Sequence, residues 1–94
     1  MLRVYIGYIH ISQRMAEKIA VKHNVTSDEV REACQAPSRY ERASWHWHPE
    51  YGWRLIVFGW AASGRRLKVV LQPVDMIDGT YRLRTAWPAG GNER

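Results

Sequence analysis

The chain has a single cysteine, Cys34, so it can form no internal disulfide, and no C-x-x-C pair exists to hold zinc or exchange electrons. A reducing cytoplasm is the simplest setting for it. Long hydrophobic runs are missing too: no stretch approaches the roughly 20 apolar residues of a membrane span. MLRVYIGYIHIS is too short and too aromatic for a secretory leader, lacks a small-residue cleavage site, and reads as a first strand. Repeats, linkers and low-complexity tracts are absent, and 46% of the residues are hydrophobic, which predicts a packed fold rather than disorder. Ninety-four residues make one domain. At that size folding hides only about 60–65% of the unfolded surface, so every apolar element must share one core.

Acid is also scarce. Nine Asp and Glu face 14 Lys and Arg, for a net charge of +5 and a pI near 9.8. Such a balance favours an anionic partner: RNA, DNA or an acidic protein. The excess is local. Between Ser12 and Ala36, Arg14, Lys18, Lys22 and Arg31 meet Glu17, Asp28, Glu29 and Glu32. Between Tyr51 and Pro88, Arg54, Arg65, Arg66, Lys68, Arg82 and Arg84 face only Asp75 and Asp78.

Residues 2–11 are rich in β-formers and predict a strand. Ser12 offers an N-cap, and Met15, Ile19 and Lys22/His23 recur at helical spacing up to Asn24. Thr26 and Glu29 then make a T-x-x-E capping box, with Val25 and Val30 placed as a hydrophobic staple. This predicts a second helix over 27–36, with Val30, Ala33 and Cys34 inward and Pro37 as its stop. Beyond Pro37, residues 39–48, 53–61, 66–74 and 80–87 read as strands joined by short turns. The expected fold is α+β: order β-α-α-β-β-β-β, two helices on one face of an antiparallel sheet of four to five strands. Residues 1–88 form the domain and 89–94 a loose tail.

The densest stretch is SWHWHPEYGWRL, residues 44–55. In a strand Trp45 and Trp47 point one way, His46 and His48 the other. A four-residue loop over 49–52 would set Trp47 opposite Arg54 and His46 opposite Leu55. The indoles belong against the helices, each worth about 2–3 kcal/mol if fully buried. Both imidazoles then lie on the open face, as surface groups, anion contacts or half of a metal site. Zinc needs three or four ligands, and the spacing of His10 and His23 implies no convergence with them. Parity pairs Arg66 with Lys68 and Arg82 with Arg84. If Leu67, Val69, Leu71, Tyr81, Leu83 and Thr85 face the core, the four cations flank the histidines. Lys22 and His23 close the first helix, where cations complement its negative end or where a titratable pair leans over the sheet edge.

The stretch IHISQRMAEKIAVKHNVTSDEVREA, the pair Gly52 and Arg54, a strand ending in Gly59, the Gly64-Arg65 turn, LKVVL and YRLRTA together resemble the BrnT family of ribonuclease toxins, across residues 9–87. The resemblance implies a RelE-like fold and a cytoplasmic toxin of a type II toxin–antitoxin system. Such a toxin would cleave RNA, ribosome-associated messenger included, without metal or other cofactor, and be held inactive by a cognate antitoxin. Lys22 and His23 match the family's Lys-His at the end of the first helix. Arg54 matches a basic strand position, and Arg82 and Arg84 fall on the basic last strand. One departure stands out: the family commonly continues with a further arginine and a short helix, whereas this chain has Trp87-Pro88 and a glycine-rich end.

Metal-free cleavage uses the 2′-hydroxyl against its own phosphate and needs a base, an acid and cations. Histidine transfers protons near neutral pH, and forked guanidinium suits charge developing on two oxygens. The catalytic candidates are therefore His23, Lys22, Arg54, Arg82 and Arg84. Candidate RNA contacts are His46, His48, Arg65, Arg66, Lys68 and Tyr81, by charge or by stacking. Two other readings remain open. One is a non-catalytic RNA- or protein-binding domain that uses Trp45, Trp47, Trp53, Trp60 and Trp87; the other is a metal site on His46 and His48.

Overall fold

The structure is a computed structural model that describes residues 4–37 and 40–90. The outer parts of three predicted segments, residues 2–3, 39 and 91–94, lie outside the described residues. The elements run β1 (Tyr8–His10), α1 (Gln13–His23), α2 (Ser27–Cys34), β2 (Arg42–His48), β3 (Gly52–Trp60), β4 (Arg66–Asp75) and β5 (Thr80–Pro88). They form an α+β fold with one five-stranded sheet, ordered β1-β5-β4-β3-β2. β2 to β5 pair antiparallel, as their short turns require. β1 departs from that pattern and joins β5 in parallel, with two helices between it and the rest of the sheet.

Local chemistry sets the helix ends. The Met15 N–H donates to Ser12 Oγ at 3.1 Å, opening α1. Asn24 closes it in the left-handed conformation (φ 55°), its N–H donating to the Ala20 carbonyl at 3.1 Å. The capping box of α2 forms in full: Glu29 N–H donates to Thr26 Oγ1 at 3.1 Å, and Thr26 N–H to Glu29 Oε1 at 3.0 Å. α2 is shorter than expected because the backbone is already extended at Gln35. There the Gln35 side chain accepts from the Ile9 N–H and Ala36 N–H donates to the Ile6 carbonyl, fastening the chain to the first strand.

One core joins the layers. Ile19, Val25, Val30, Ala33 and Cys34 from the helical side pack on Leu55, Val57, Leu67, Val69, Leu71, Tyr81, Leu83 and Ala86 from the sheet. α2 lies on β3 and β4, and α1 on β5. Gly59 lets α2 approach: a Cβ there would run into the Ala33 carbonyl oxygen. No helix among the described residues is long and apolar enough to cross a membrane.

Two register expectations need correction. The β2–β3 loop is Pro49–Tyr51, and Gly52 (φ 76°) already pairs with His48. Trp47 therefore faces Trp53, Trp45 faces Leu55, and His46 faces Arg54 rather than Leu55. On β5 the core residues are Tyr81, Leu83 and Ala86, not Thr85. Val70 pairs with Thr85 but Leu71 with Leu83, so Arg84 is an inserted bulge residue. At the far end of the sheet Ala89 N–H donates to the Arg66 carbonyl, and Arg66 donates to the Gly90 carbonyl, so the expected loose tail begins with two tied residues.

Gly59→Ala should lower the unfolding free energy by about 1–3 kcal/mol, the usual cost of overpacking, in a urea titration. An unchanged midpoint would mean that α2 can slide off β3 freely. Burial pushes the Cys34 thiol far above its ordinary pKa. The native protein should therefore leave a disulfide reagent unreacted at pH 8 and consume one equivalent once unfolded.

Candidate functional site

Alternation along the strands decides which side chains leave the core. With Leu55, Leu67, Leu71 and Leu83 buried, their neighbours Arg54, Arg66, Lys68, Gln72, Arg82 and Arg84 fall on the face opposite it. The cations of the later hairpins thus share the open face, the outcome expected if the apolar residues between them faced the core.

The last turns of α1 meet this face in a cleft of about 530 Å³, lined by Lys18, Lys22, His23, Tyr51, Arg54, Arg84 and Thr85. Among the described residues no carboxylate lines it. Three anchors hold it. Arg65 Nη1 donates to the Asn24 carbonyl at 2.8 Å and pairs with Glu29 at 3.1 Å, tying the α1–α2 junction to the β3–β4 turn. Arg54 Nη1 donates to the Tyr51 and Trp53 carbonyls at 2.7 and 3.0 Å, with its guanidinium 5.6 Å from the Tyr51 ring centre. The bulge turns Arg84 and Thr85 toward the same space. Burial first, then the like charge of Arg84, pulls the Arg54 guanidinium below its ordinary pKa, against an opposing effect of Tyr51. Two guanidiniums that repel each other in a pocket without acid form a site charged in advance for an anion.

His23 is half-buried, with its ring 6.1 Å from the Trp87 indole. His23, Thr85, Trp87 and Pro88 line an adjoining open cavity of about 510 Å³. The unusual Trp87-Pro88 ending thus stands beside the candidate acid–base group.

The other sequence candidates scatter. Arg82 is exposed on the open face, opposite Gln72 and next to His10, and does not line the cleft. His46 stays on the open face, its Nε2 3.2 Å from Ser44 Oγ. His48 serves the hairpin: its Nδ1 accepts from the Glu50 and Tyr51 N–H groups, and its ring stacks on Tyr51 at 4.6 Å. Arg65 is taken up by its anchor. Arg66 makes a forked pair with Glu41, at 2.9 and 3.0 Å, and holds the Glu41 carboxyl below its ordinary value by that hydrogen bond. Lys68 spans Phe58 and Trp87, 5.7 and 5.2 Å from their ring centres. Tyr81 corrects an expectation: it is 2% exposed on the helix side, its phenol pKa raised by burial and then by Tyr40, and no base can stack on it.

Trp47 corrects another. It is 61% exposed and Trp53 52%; among the described residues the helices pack mainly on β3, β4 and β5 rather than on β2. With Trp45, Pro73 and Met76 nearby, that end carries an apolar cavity of about 340 Å³. Among the described residues no three His, Cys, Asp or Glu side chains are grouped as a metal site would need.

Sequence reasoning missed Lys18, Tyr51 and Thr85 in the cleft. Lys18 had a signal, lying four residues before Lys22 on one helix face. Compared with protein-family models, curated proteins and solved structures, the chain matches none.

The cleft should take phosphate. Inorganic phosphate at about ten times its Kd should stabilise the wild type by about 1.4 kcal/mol in thermal or urea unfolding, and leave Arg54→Ala/Arg84→Ala unmoved. Equal stabilisation of both proteins would place anion binding elsewhere.

Proposed function

We propose that this chain is a metal-independent endoribonuclease of the BrnT kind. In that reading it is a cytoplasmic toxin of a type II toxin–antitoxin system, with a RelE-like fold and a cognate antitoxin that neutralises it. The observation that carries the reading is the cleft in which Lys18, Lys22, His23, Arg54 and Arg84 converge without a carboxylate. The segment resemblance supports it independently, since its Lys-His pair and two of its strand arginines are among those residues.

A phosphodiester in the cleft would lie between Arg54 and Arg84, whose forks suit two non-bridging oxygens. His23 takes the proton of the 2′-hydroxyl as that oxygen bonds to phosphorus. The bond from phosphorus to the 5′-oxygen breaks, and the Lys22 ammonium gives that oxygen its proton. A 2′,3′-cyclic phosphate and a 5′-hydroxyl leave. Lys18 and the two arginines stabilise the extra negative charge of the phosphorane. The Trp87 indole offers the neighbouring base a stacking surface. No step needs a carboxylate, in keeping with a cleft that no carboxylate of the described residues lines.

A second reading has its own observation. Exposed Trp47 and Trp53 beside the apolar cavity suit a binding domain that holds a partner and cuts nothing.

Incubating purified protein with messenger RNA, with and without EDTA, separates the two. Cleavage that persists in chelator and leaves cyclic phosphate ends is the expected result. Arg54→Ala/Arg84→Ala should then cut at least about 100-fold more slowly. Intact RNA alongside retained binding would favour the second reading, and cutting abolished by EDTA would end the metal-free mechanism.

A further inference from the structure

A second cationic cluster lies outside the cleft. Arg42, Ser44, His46, Ile56, Phe58 and Lys68 enclose an open cavity of about 290 Å³ on the same sheet face. Phe58 is its floor, 3% exposed, with the Arg42 and Arg66 guanidiniums each 4.6 Å and the Lys68 ammonium 5.7 Å from the ring centre. Three cations thus gather over the π-face of one buried ring, which favours positive charge there. Glu41, close by, pairs with Arg66 and feels the charge of Arg42, and no carboxylate lines the cavity among the described residues. Arg42, Lys68, the His46 imidazole and the Ser44 hydroxyl thus border the cavity.

The register joins it to the cleft. His46, in the second cluster, pairs across the strands with Arg54, in the first. From β5 through β4 and β3 to β2 is three strand spacings, about 14 Å. That is farther than one phosphate can reach from Arg84. We propose that Arg42, Ser44, His46 and Lys68 form a second phosphate subsite, so that the ligand of this face is a single-stranded oligonucleotide crossing the sheet from β5 to β2. Trp60 and Trp87, side chains of the same face, offer surfaces on which unpaired bases stack, which a duplex could not use. The inference deepens the ribonuclease reading by naming the length and form of its substrate, and it rests on that reading only for the identity of the first subsite.

The test uses probes that cannot be cut, so that it survives even if unmodified RNA is left intact and the ribonuclease reading fails. Binding of a 2′-O-methyl hexanucleotide and a 2′-O-methyl dinucleotide to the full chain is measured against salt. The hexanucleotide should bind more tightly with a steeper salt dependence, and a duplex of equal length should compete poorly. Arg42→Gln keeps an aliphatic stem over Phe58 while removing the charge. It should weaken hexanucleotide binding about fivefold near 0.1 M salt and reduce the log–log slope by about 0.7, one phosphate contact on a single strand. Adding His46→Ala should weaken it further, and melting curves would show that both variants fold. Unchanged hexanucleotide affinity and slope in Arg42→Gln would overturn the subsite. So would equal affinity for the two probes, or effective competition by the duplex.

Discussion

Leu83 and Ala86 are both buried, yet they stand three residues apart on one strand. A regular strand sends such a pair to opposite faces. The bulge at Arg84 resolves the conflict, and the candidate site depends on it. Were the same residues paired one to one, with no bulge, Ala86 would leave the core if Leu83 stayed in it. With it, the core keeps its apolar contacts while Arg84 and Thr85 turn toward α1. Bulges are known for re-aiming a side chain next to a site. Here hydrophobic burial and the placement of charge are satisfied by one extra residue.

The open face collects like charges, which opposes folding, and the structure meets this in three ways. Arg66 is neutralised by Glu41 in a forked pair. Arg42, Arg66 and Lys68 share the π-face of Phe58, so their charges rest on a buried ring. Arg65 is drawn off to Glu29, where it braces the helix junction. Arg54 and Arg84 receive no such partner, and Arg54 is held in place by carbonyls of its own turn. The repulsion left between them is concentrated at one spot. A cleft in which two guanidiniums meet, with no carboxylate lining it among the described residues, favours an anion.

Much of this was legible in the sequence where the determinants are local. Caps need only a few neighbouring residues, so Ser12, Asn24 and the Thr26–Glu29 box read correctly. The order of elements followed from turn residues and apolar runs. Register was another matter. The β2–β3 turn closes one residue earlier than expected because Gly52 at positive φ already sits in the ladder, and that shift moved His46 from Leu55 to Arg54. The bulge on β5 answers to a core built by distant residues, so nothing near Arg84 announces it. Trp47 and Tyr81 were misread for a related reason. Alternation gives the face a side chain takes, but only the extent of the helices determines whether that face is covered.

Trp87 brings these threads together. Where the resembled family carries a further cation, this chain places an indole between His23 and the Lys68 ammonium. Four cations and a histidine line the cleft without it, so charge is not what the position lacks. A flat apolar ring beside the proposed acid–base group His23 offers something a cation cannot. In the proposed ribonuclease reading it would hold a base by its face and shield one side of the imidazole. On that reading the indole would trade part of the stabilisation of charge for positioning of the nucleotide, and the ending Trp87-Pro88 would belong to the substrate surface.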